Sequence, residues 1–333
     1  MITAFSTGLS RRPTKAVAPV IAVTESDILV EGSRLQAANA SRQKAAATDV
    51  TRVKSIDSPR VARVCWRAFM GLSSPPMKKA LISVVLAIVA LIGVVGAEIV
   101  LALRRDYLPT EAPLEIGGVF GPPSAPKLEF VVLGDSTAAG VGAGSAARAY
   151  PTLLARRLAA GGRRVELTSF GVSGARAVDV LREQVPMAMN ARPDLVFLAI
   201  GANDVIHLTP LEEIDEDLRA ALDRLRSTGA VIVTAGVPDM RAAAFLEPLR
   251  SLAGWRGNRV SAVIYEAARA SEVPAVRLAE QTAKYFVSEP DKSYSVDDFH
   301  PGPGGYERWA DAIYPILERA LATESAGAAT GET

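Results

Sequence analysis

Residues 128–140 read LEFVVLGDSTAAG, a short apolar run that stops abruptly at glycine and polar residues. The stretch from Glu129 to Leu133 has the length and the β-branched content of a buried strand. The tetrapeptide GDST follows it at residues 134–137, so a polar turn stands directly at the carboxyl end of this strand. The same arrangement recurs twice further along the chain, which indicates a sheet whose strands end in neighbouring polar loops.

Four further short runs are predicted as buried strands, and longer segments with helical periodicity separate them. The runs span residues 165–169, 195–200, 231–235 and 275–278. The alternation of strands and helices predicts βαβ units, and therefore a parallel sheet with helices on both faces. The fold class is α/β, and the ligand site of such a sheet is expected at the carboxyl ends of its strands.

Polar residues follow three of these strands and recur near the carboxyl terminus. GVSG follows the second strand at 171–174, and GAND follows the third at 201–204. The segment 297–301, DDFHP, precedes the Gly/Pro-rich start of the last predicted helix, so its loop can return to the same sheet edge.

These residue types suit nucleophilic catalysis. A serine hydroxyl needs a neighbouring base, and the base needs a group that fixes its tautomer. Ser136, His300 and Asp297 supply these three roles. The oxyanion of a tetrahedral intermediate needs donors, for which the backbone N–H groups of Ser136 and Gly171 and the side-chain amide of Asn203 are the candidates.

The four blocks resemble the SGNH, or GDSL-type, hydrolases, which are esterases and lipases, over roughly residues 128–322. The resemblance implies a flavodoxin-like three-layer α/β/α fold with a five-stranded parallel sheet in the order 2-1-3-4-5. It makes Ser136 the nucleophile, completes the triad with Asp297 and His300, and completes the oxyanion hole with Gly171 and Asn203.

Three residues beside these positions carry further expectations. Thr137 stands where the family often has leucine, so a local change in the turn or in the pocket wall is expected. Asp204 either supports the Asn203 loop through a hydrogen bond or only forms a turn. Asp135 is predicted to support Ser136 without contacting the substrate itself.

The predicted activity is hydrolysis of carboxylic esters through an acyl-enzyme at Ser136, with lipid or envelope-glycan acyl esters as substrates. One alternative is an acyltransferase or deacetylase that acts on glycan hydroxyls with the same site. Another is a catalytically silent, membrane-tethered binding protein. No cofactor or metal is expected, since Cys65 is the only cysteine and His207 and His300 are the only histidines, too few for a His/Cys zinc site.

An apolar segment lies between the fourth strand and the helix that follows it. Its large residues either shape an acyl-chain pocket or lid, or form an ordinary core-facing helix. They are Phe245, Leu246, Leu249, Leu252 and Trp255. His207, close to Asn203, either lines the pocket or lies on the surface.

The charge of the chain is divided unevenly along its length. The total is 37 basic against 36 acidic residues, net +1, which excludes a uniformly basic nucleic-acid binder. Residues 1–79 carry 13 basic and 5 acidic side chains, net +8, whereas residues 80–333 carry 24 and 31, net −7. Two differently charged parts are therefore averaged in the near-neutral total.

The boundary between these parts coincides with an apolar run at residues 80–103, in which only Glu98 is charged. A helix of that length spans about 36 Å, enough for a bilayer core of ~30 Å. Basic residues are more numerous on its amino-terminal side, which predicts a cytoplasmic amino terminus and an extracytoplasmic catalytic domain. A signal cut near Ala97, which would secrete the protein, and a buried helix of a soluble domain are the alternatives.

The predicted domains follow from this division. Residues 1–76 are expected to be disordered. We interpret them as lying upstream of the natural translation start, which is predicted near Met77. A signal anchor is predicted at 77–105, a Pro/Gly-rich linker at 106–127, the hydrolase domain at 128–322 and a flexible tail at 323–333.

Overall fold

The computed structural model of the 333-residue chain describes residues 75–104 and 114–330, with side chains described for 77–101, 104 and 114–326. By its internal contacts the chain divides into the units Met1–Val84 and Val85–Thr333. The predictions for residues 1–74, for the first part of the linker and for the last three residues lie outside the described residues.

The second unit contains a six-stranded sheet. In chain order its strands are β1 (Gly117–Phe120), β2 (Lys127–Gly134), β3 (Arg164–Ser169), β4 (Leu195–Ala199), β5 (Val231–Ala235) and β6 (Ala275–Val276). Their order across the sheet is β1-β3-β2-β4-β5-β6. The strands β2 to β6 pair in parallel, which confirms the predicted order 2-1-3-4-5.

The prediction of five strands was wrong by one. The additional strand β1 pairs antiparallel with β3, from Gly117 opposite Thr168 to Phe120 opposite Val165. It lies within the stretch predicted as linker. Its sequence, GGVF, contains two glycines and has little strand propensity of its own, so only the exposed edge of β3 makes it a strand.

One helix, α1 (Pro75–Arg104), precedes the sheet. Further helices connect the strands or cover the two faces of the sheet. They are α2 (Tyr150–Ala160), α3 (Ala177–Asp179), α4 (Val185–Ala191), α5 (Ala202–Ile206), α6 (Leu211–Arg226), α7 (Leu249–Ala270), α8 (Leu278–Ser288), α9 (Pro290–Ser293) and α10 (Pro303–Thr330), with a π-helical turn at Val180–Gln184 between α3 and α4.

Alternate residues of the strands enter two separate cores, because successive side chains point to opposite faces. Along β2, Phe130 and Val132 pack with α2, α8 and α10 on one face. Val131 and Leu133 pack with α4, α6 and α7 on the other face. The three-layer α/β/α arrangement is therefore confirmed.

Two glycines end strands at the functional edge of the sheet. Gly134 and Gly201 both have positive φ, at 157° and 118°. A Cβ on Gly134 would lie 2.4 Å from the carbonyl oxygen of Ala199, and one on Gly201 would lie 2.7 Å from a methyl of Val237. Glycine is required at both positions because the chain turns away from the sheet against close neighbours.

The helix α1 is long and apolar enough to cross a membrane over Met77–Leu101, by length and composition. Almost all of its described side chains are exposed, unlike those of a core helix in a soluble domain. Glu98 is the exception, since it is buried and its Oε2 accepts a hydrogen bond from the backbone N–H of Leu249 at 3.0 Å. The helix is consistent with a signal anchor or with the leader of a secreted protein.

Candidate active site

Ser136 stands in a tight turn directly after β2. The buried carboxylate of Asp135 fixes this turn, because its Oδ1 accepts hydrogen bonds from the backbone N–H and the hydroxyl of Thr137, at 2.9 and 2.8 Å. Burial raises the pKa of the Asp135 carboxyl, and the two bonds from Thr137 oppose that rise. Thr137 in place of leucine therefore adds a hydroxyl–carboxylate bond within the turn.

A hydrogen-bonded chain connects Ser136 to the loop before α10. The Ser136 Oγ lies 3.0 Å from His300 Nε2, and His300 Nδ1 lies 2.6 Å from Asp297 Oδ2. The structure thus brings the three predicted residues together, although Ser136 and His300 are 164 positions apart in the sequence.

The Asp297 carboxylate is held by the backbone as well as by the imidazole. Its Oδ1 accepts the N–H groups of Phe299 and His300, at 3.0 and 2.9 Å. Burial by itself raises the pKa of Asp297, but the hydrogen bonds from His300 and Phe299 outweigh it and the net pKa is lowered. Asp297 is therefore ionised beside the imidazole.

Two predicted oxyanion donors follow the strands β3 and β4, which lie on either side of β2 in the sheet. Gly171 packs closely against the turn that follows Ser136. A Cβ added to Gly171 would lie 2.5 Å from Ala138 Cβ and 2.6 Å from the backbone nitrogen of Ala139. The Asn203 amide donates one hydrogen bond to the carbonyl of Ala175, at 3.0 Å. That bond uses one of its two N–H groups.

Asp204 anchors the loop that carries Asn203. Its buried Oδ2 accepts a hydrogen bond from the backbone N–H of Ala177 at 3.0 Å, two residues beyond the carbonyl that Asn203 contacts. Burial raises the pKa of the Asp204 carboxyl, and the bond from Ala177 opposes this. Of the two interpretations of Asp204, this geometry favours support of the Asn203 loop.

Sequence reasoning missed Gln184. This buried side chain lies in the π-helical turn, and its Oε1 accepts from the N–H of Gly134 while its Nε2 donates to the same residue's carbonyl, both at 2.8 Å. It thus satisfies both backbone groups of the residue at the end of β2. A single buried glutamine has no pattern in the sequence that would distinguish it from a solvated one.

A largely apolar cavity of about 340 Å³ opens beside Ser136, Asn203 and His300. Its apolar wall comes from the loop after β5, the helix α5, the 294–301 loop, α8 and α10. The large residues are Ile206, Met240, Phe245, Phe286, Tyr294, Phe299 and Trp309. Its size is that of a small-molecule site.

The large residues of the apolar segment after β5 have different surroundings, so neither an acyl-chain pocket nor a core-facing helix describes all of them. Phe245 lines the cavity and contacts the Phe299 ring, with 5.7 Å between centroids. Leu246, Leu252 and Trp255 are exposed instead. His207 is exposed as well, and its Nδ1 contacts the carbonyl of Asn203 at 2.8 Å.

No group of three or more His, Cys, Asp or Glu side chains able to hold a metal occurs among the described residues.

A three-layer α/β/α fold whose mostly parallel sheet has a serine, a histidine and an aspartate at its carboxyl edge is the arrangement of the SGNH class of hydrolases. A sequence model of the GDSL-like Lipase/Acylhydrolase family matches residues 132–308, just over half of the chain. The chain belongs to this family.

Known proteins of this kind are similar to the chain over its carboxyl-terminal part. A GDSL-like esterase of Mycobacterium tuberculosis, Rv1075c, is 33% identical over 197 residues, which cover 58% of this chain and 63% of the esterase. A lipase of Streptomyces rimosus is 38% identical over 104 residues, which cover 27% of this chain and 37% of the lipase. The chain thus spans less than two thirds of the length of these curated relatives.

The fold also matches solved structures. The crystal structure of a protein described as a GDSL-like lipase, from Parabacteroides merdae, superposes with a TM-score of 0.50 at 20% identity. The match covers 58% of this chain and 97% of that protein. At this identity the match demonstrates the common fold.

Proposed function

We propose that the protein is a serine hydrolase that cleaves carboxylic esters through an acyl-enzyme at Ser136. One observation carries this proposal: Ser136, His300 and Asp297 form a continuous hydrogen-bonded chain at the wall of an apolar cavity. Membership of a lipase and acylhydrolase family supports the same activity.

The geometry supports a defined proton path. The Asp297 carboxylate holds the Nδ1–H of His300, which leaves Nε2 as the acceptor for the Ser136 proton. The Ser136 oxygen then attacks the ester carbonyl, and the imidazolium returns the proton to the departing alcohol. Water activated by the same imidazole releases the acid and restores Ser136.

The negative charge on the carbonyl oxygen needs hydrogen-bond donors near Ser136. We assign these donors as the backbone N–H groups of Ser136 and Gly171 and the second N–H of the Asn203 amide. Donors of this kind are held in place before the charge develops, so no reorganisation is needed during the reaction. Asp135 and Asp204 act through the turn and the loop that they fix.

The apolar wall of the cavity favours an ester with an apolar acyl group. We propose lipid or envelope-glycan acyl esters as the substrate class, with α1 as a single-pass anchor and the catalytic domain outside the cytoplasm. A cleavage near Ala97 would give a secreted enzyme with the same site. The proposed domain division is the anchor at 77–105, a linker that ends before β1, and a hydrolase domain that begins at β1 and includes α10 as far as Thr330. The predicted linker 106–127 is therefore too long, because β1 pairs with β3, and the predicted tail 323–333 is helical up to Thr330.

An active-site probe tests this function directly. A fluorophosphonate should label the full-length chain, and it should not label the Ser136→Ala variant, because the probe needs an activated serine oxygen. p-Nitrophenyl esters of graded acyl length should be hydrolysed, and the length dependence will report the depth of the cavity. Absence of labelling, or equal labelling of the two proteins, would contradict the proposal.

A further inference from the structure

The amino-terminal half of α7 carries an exposed surface that neither the core nor the cavity uses. Leu252, Trp255 and Arg259 follow one another at spacings of three and four residues, so they lie on one side of the helix. Leu252 is 47% and Trp255 58% exposed, and the Arg259 guanidinium lies 5.4 Å from the Trp255 ring centre. These three residues, with exposed Leu246 just before the helix, are called the α7 face.

The charge around the α7 face is opposite in sign to that of the surrounding domain. The helix α7 contains four arginines and one acidic residue, Glu266. The remainder of 114–326 contains 18 basic and 26 acidic residues. Arginines beside exposed leucine and tryptophan are the composition of a helix that lies in the interface of an anionic membrane.

A contact to α1 puts the start of α7 close to the end of the candidate span. Leu249, the first residue of α7, donates its backbone N–H to Glu98. Glu98 precedes the end of the span at Leu101 by three residues, a rise of about 5 Å. Leu246 and Leu252 of the α7 face each lie three residues from Leu249, so this end of the face is close to the depth at which the candidate span would leave the bilayer. Tryptophan is enriched at that depth.

The α7 face also adjoins the cavity. Met240 and Phe245, in the loop before α7, line the cavity. A Cβ on Gly257 of α7 would lie 2.7 Å from Met240 Cγ, and Arg250 of α7 donates to the carbonyl of Ala243 at 3.1 Å. The loop that forms the cavity wall is thus packed directly on the helix that carries the face.

We propose that the α7 face binds the surface of the anionic bilayer that holds α1, and that the cavity receives its ester from this lipid surface. Leu246, Leu252 and Trp255 enter the region below the headgroups, while Arg259 pairs with lipid phosphate. The second half of the proposal rests on the proposed esterase function, and the first half does not.

Tryptophan quenching tests the first half without any catalysis. The full-length chain is reconstituted in vesicles of phosphatidylcholine and phosphatidylglycerol whose acyl chains carry bromine near the headgroup. Bromine quenches a tryptophan that it contacts. Of the three tryptophans, Trp309 is buried in the protein, and any quenching of Trp66 is common to wild type and a Trp255 variant. We expect a quenched component that the Trp255→Phe variant lacks. The same quenching in wild type and Trp255→Phe, or protection of Trp255 by contact with a second copy of the chain, would overturn the proposal.

Kinetics on two esters test the second half. Leu252→Ser should lower hydrolysis of a long-chain ester embedded in the vesicle roughly tenfold, because a buried leucine contact with lipid is lost. Arg259→Gln should lower it about fivefold, the loss expected for one arginine at an anionic surface. Both variants should hydrolyse a water-soluble acetate ester at the wild-type rate.

The matched control is Met187→Ser on α4, which removes an exposed apolar side chain, 48% accessible, elsewhere on the domain. It should leave both rates unchanged. An equal loss on both esters in Leu252→Ser and Arg259→Gln would overturn the role of the face in substrate delivery. Intact Trp255 quenching in a protein that hydrolyses neither ester would contradict the esterase function alone.

Discussion

The two sides of Ser136 differ in how completely their hydrogen bonds are made. On the histidine side, Asp297 and His300 are 4% and 6% exposed, and both carboxylate oxygens already accept bonds. On the other side, Gly171 and Asn203 are half-buried. The Gly171 N–H donates only a long hydrogen bond, 3.4 Å, to the Ser169 hydroxyl, and the Asn203 amide donates to the carbonyl of Ala175 with one of its two N–H groups. In the proposed mechanism, the His300 imidazole is thus oriented before substrate binds, whereas the donors assigned to the oxyanion hole act on a charge that exists only during the reaction.

We infer that the two sides contribute to catalysis in different ways. A buried, fully bonded group fixes a tautomer and an orientation, so its loss disables the proton transfer. An open donor contributes little to substrate binding and acts when the carbonyl oxygen becomes negative. The predictions below test this division, from the largest expected effect to the smallest.

Asp297→Asn should lower kcat by about 10⁴-fold, because an amide favours the wrong imidazole tautomer. Steady-state kinetics on a p-nitrophenyl ester measure the loss. The neighbouring Asp298→Asn is the matched control, since Asp298 has a positive φ of 55° that asparagine also adopts. It should retain most of the activity, and an equal loss in the two variants would contradict the assignment of Asp297.

Asn203→Ala should lower kcat by ~10²- to 10³-fold and change KM little, because the lost donor acts in the transition state. Separate determination of kcat and KM distinguishes this from a damaged pocket. His207→Gln, four residues further on and exposed, should remain active. A large rise in KM with unchanged kcat would instead make Asn203 a substrate-binding residue.

The activity should fall when the pH is lowered from 8 to 5, because a general base must be unprotonated to accept the serine proton. The lowered pKa of Asp297 keeps that carboxylate charged over this range, so the fall is not caused by loss of the Asp297 charge. kcat/KM measured from pH 5 to pH 8 gives the profile, and a flat profile would exclude His300 as the base.

The same carboxylate should stabilise the fold by a smaller, pH-dependent amount. Its folded pKa lies below the unfolded value of about 3.9, so its contribution is complete above that pH and is lost as the pH falls through the folded pKa. The thermal midpoint of Asp297→Asn should approach that of wild type in acid. A constant difference between the two proteins at all pH values would contradict this linkage.

Much of the fold followed from local patterns. Short β-branched runs ended by glycine and polar residues predict parallel strands with a common functional edge, and all five of these strands were found. The strand β1 escaped prediction because GGVF has no pattern of its own and pairs only because the edge of β3 is available. Gln184 escaped because its role consists of two bonds to Gly134, fifty residues away.

The sequence by itself determined which residues could react, because glycine at a strand end and a serine, an asparagine or a histidine after it are local properties of the chain. The tertiary structure decided which of them meet. Three hydrogen bonds join segments that are distant in the sequence. They are the bonds between Ser136 and His300, between Asn203 and Ala175, and between Leu249 and Glu98. Such contacts form only when the two cores pack around the sheet, since their geometry depends on burial that no local sequence pattern specifies.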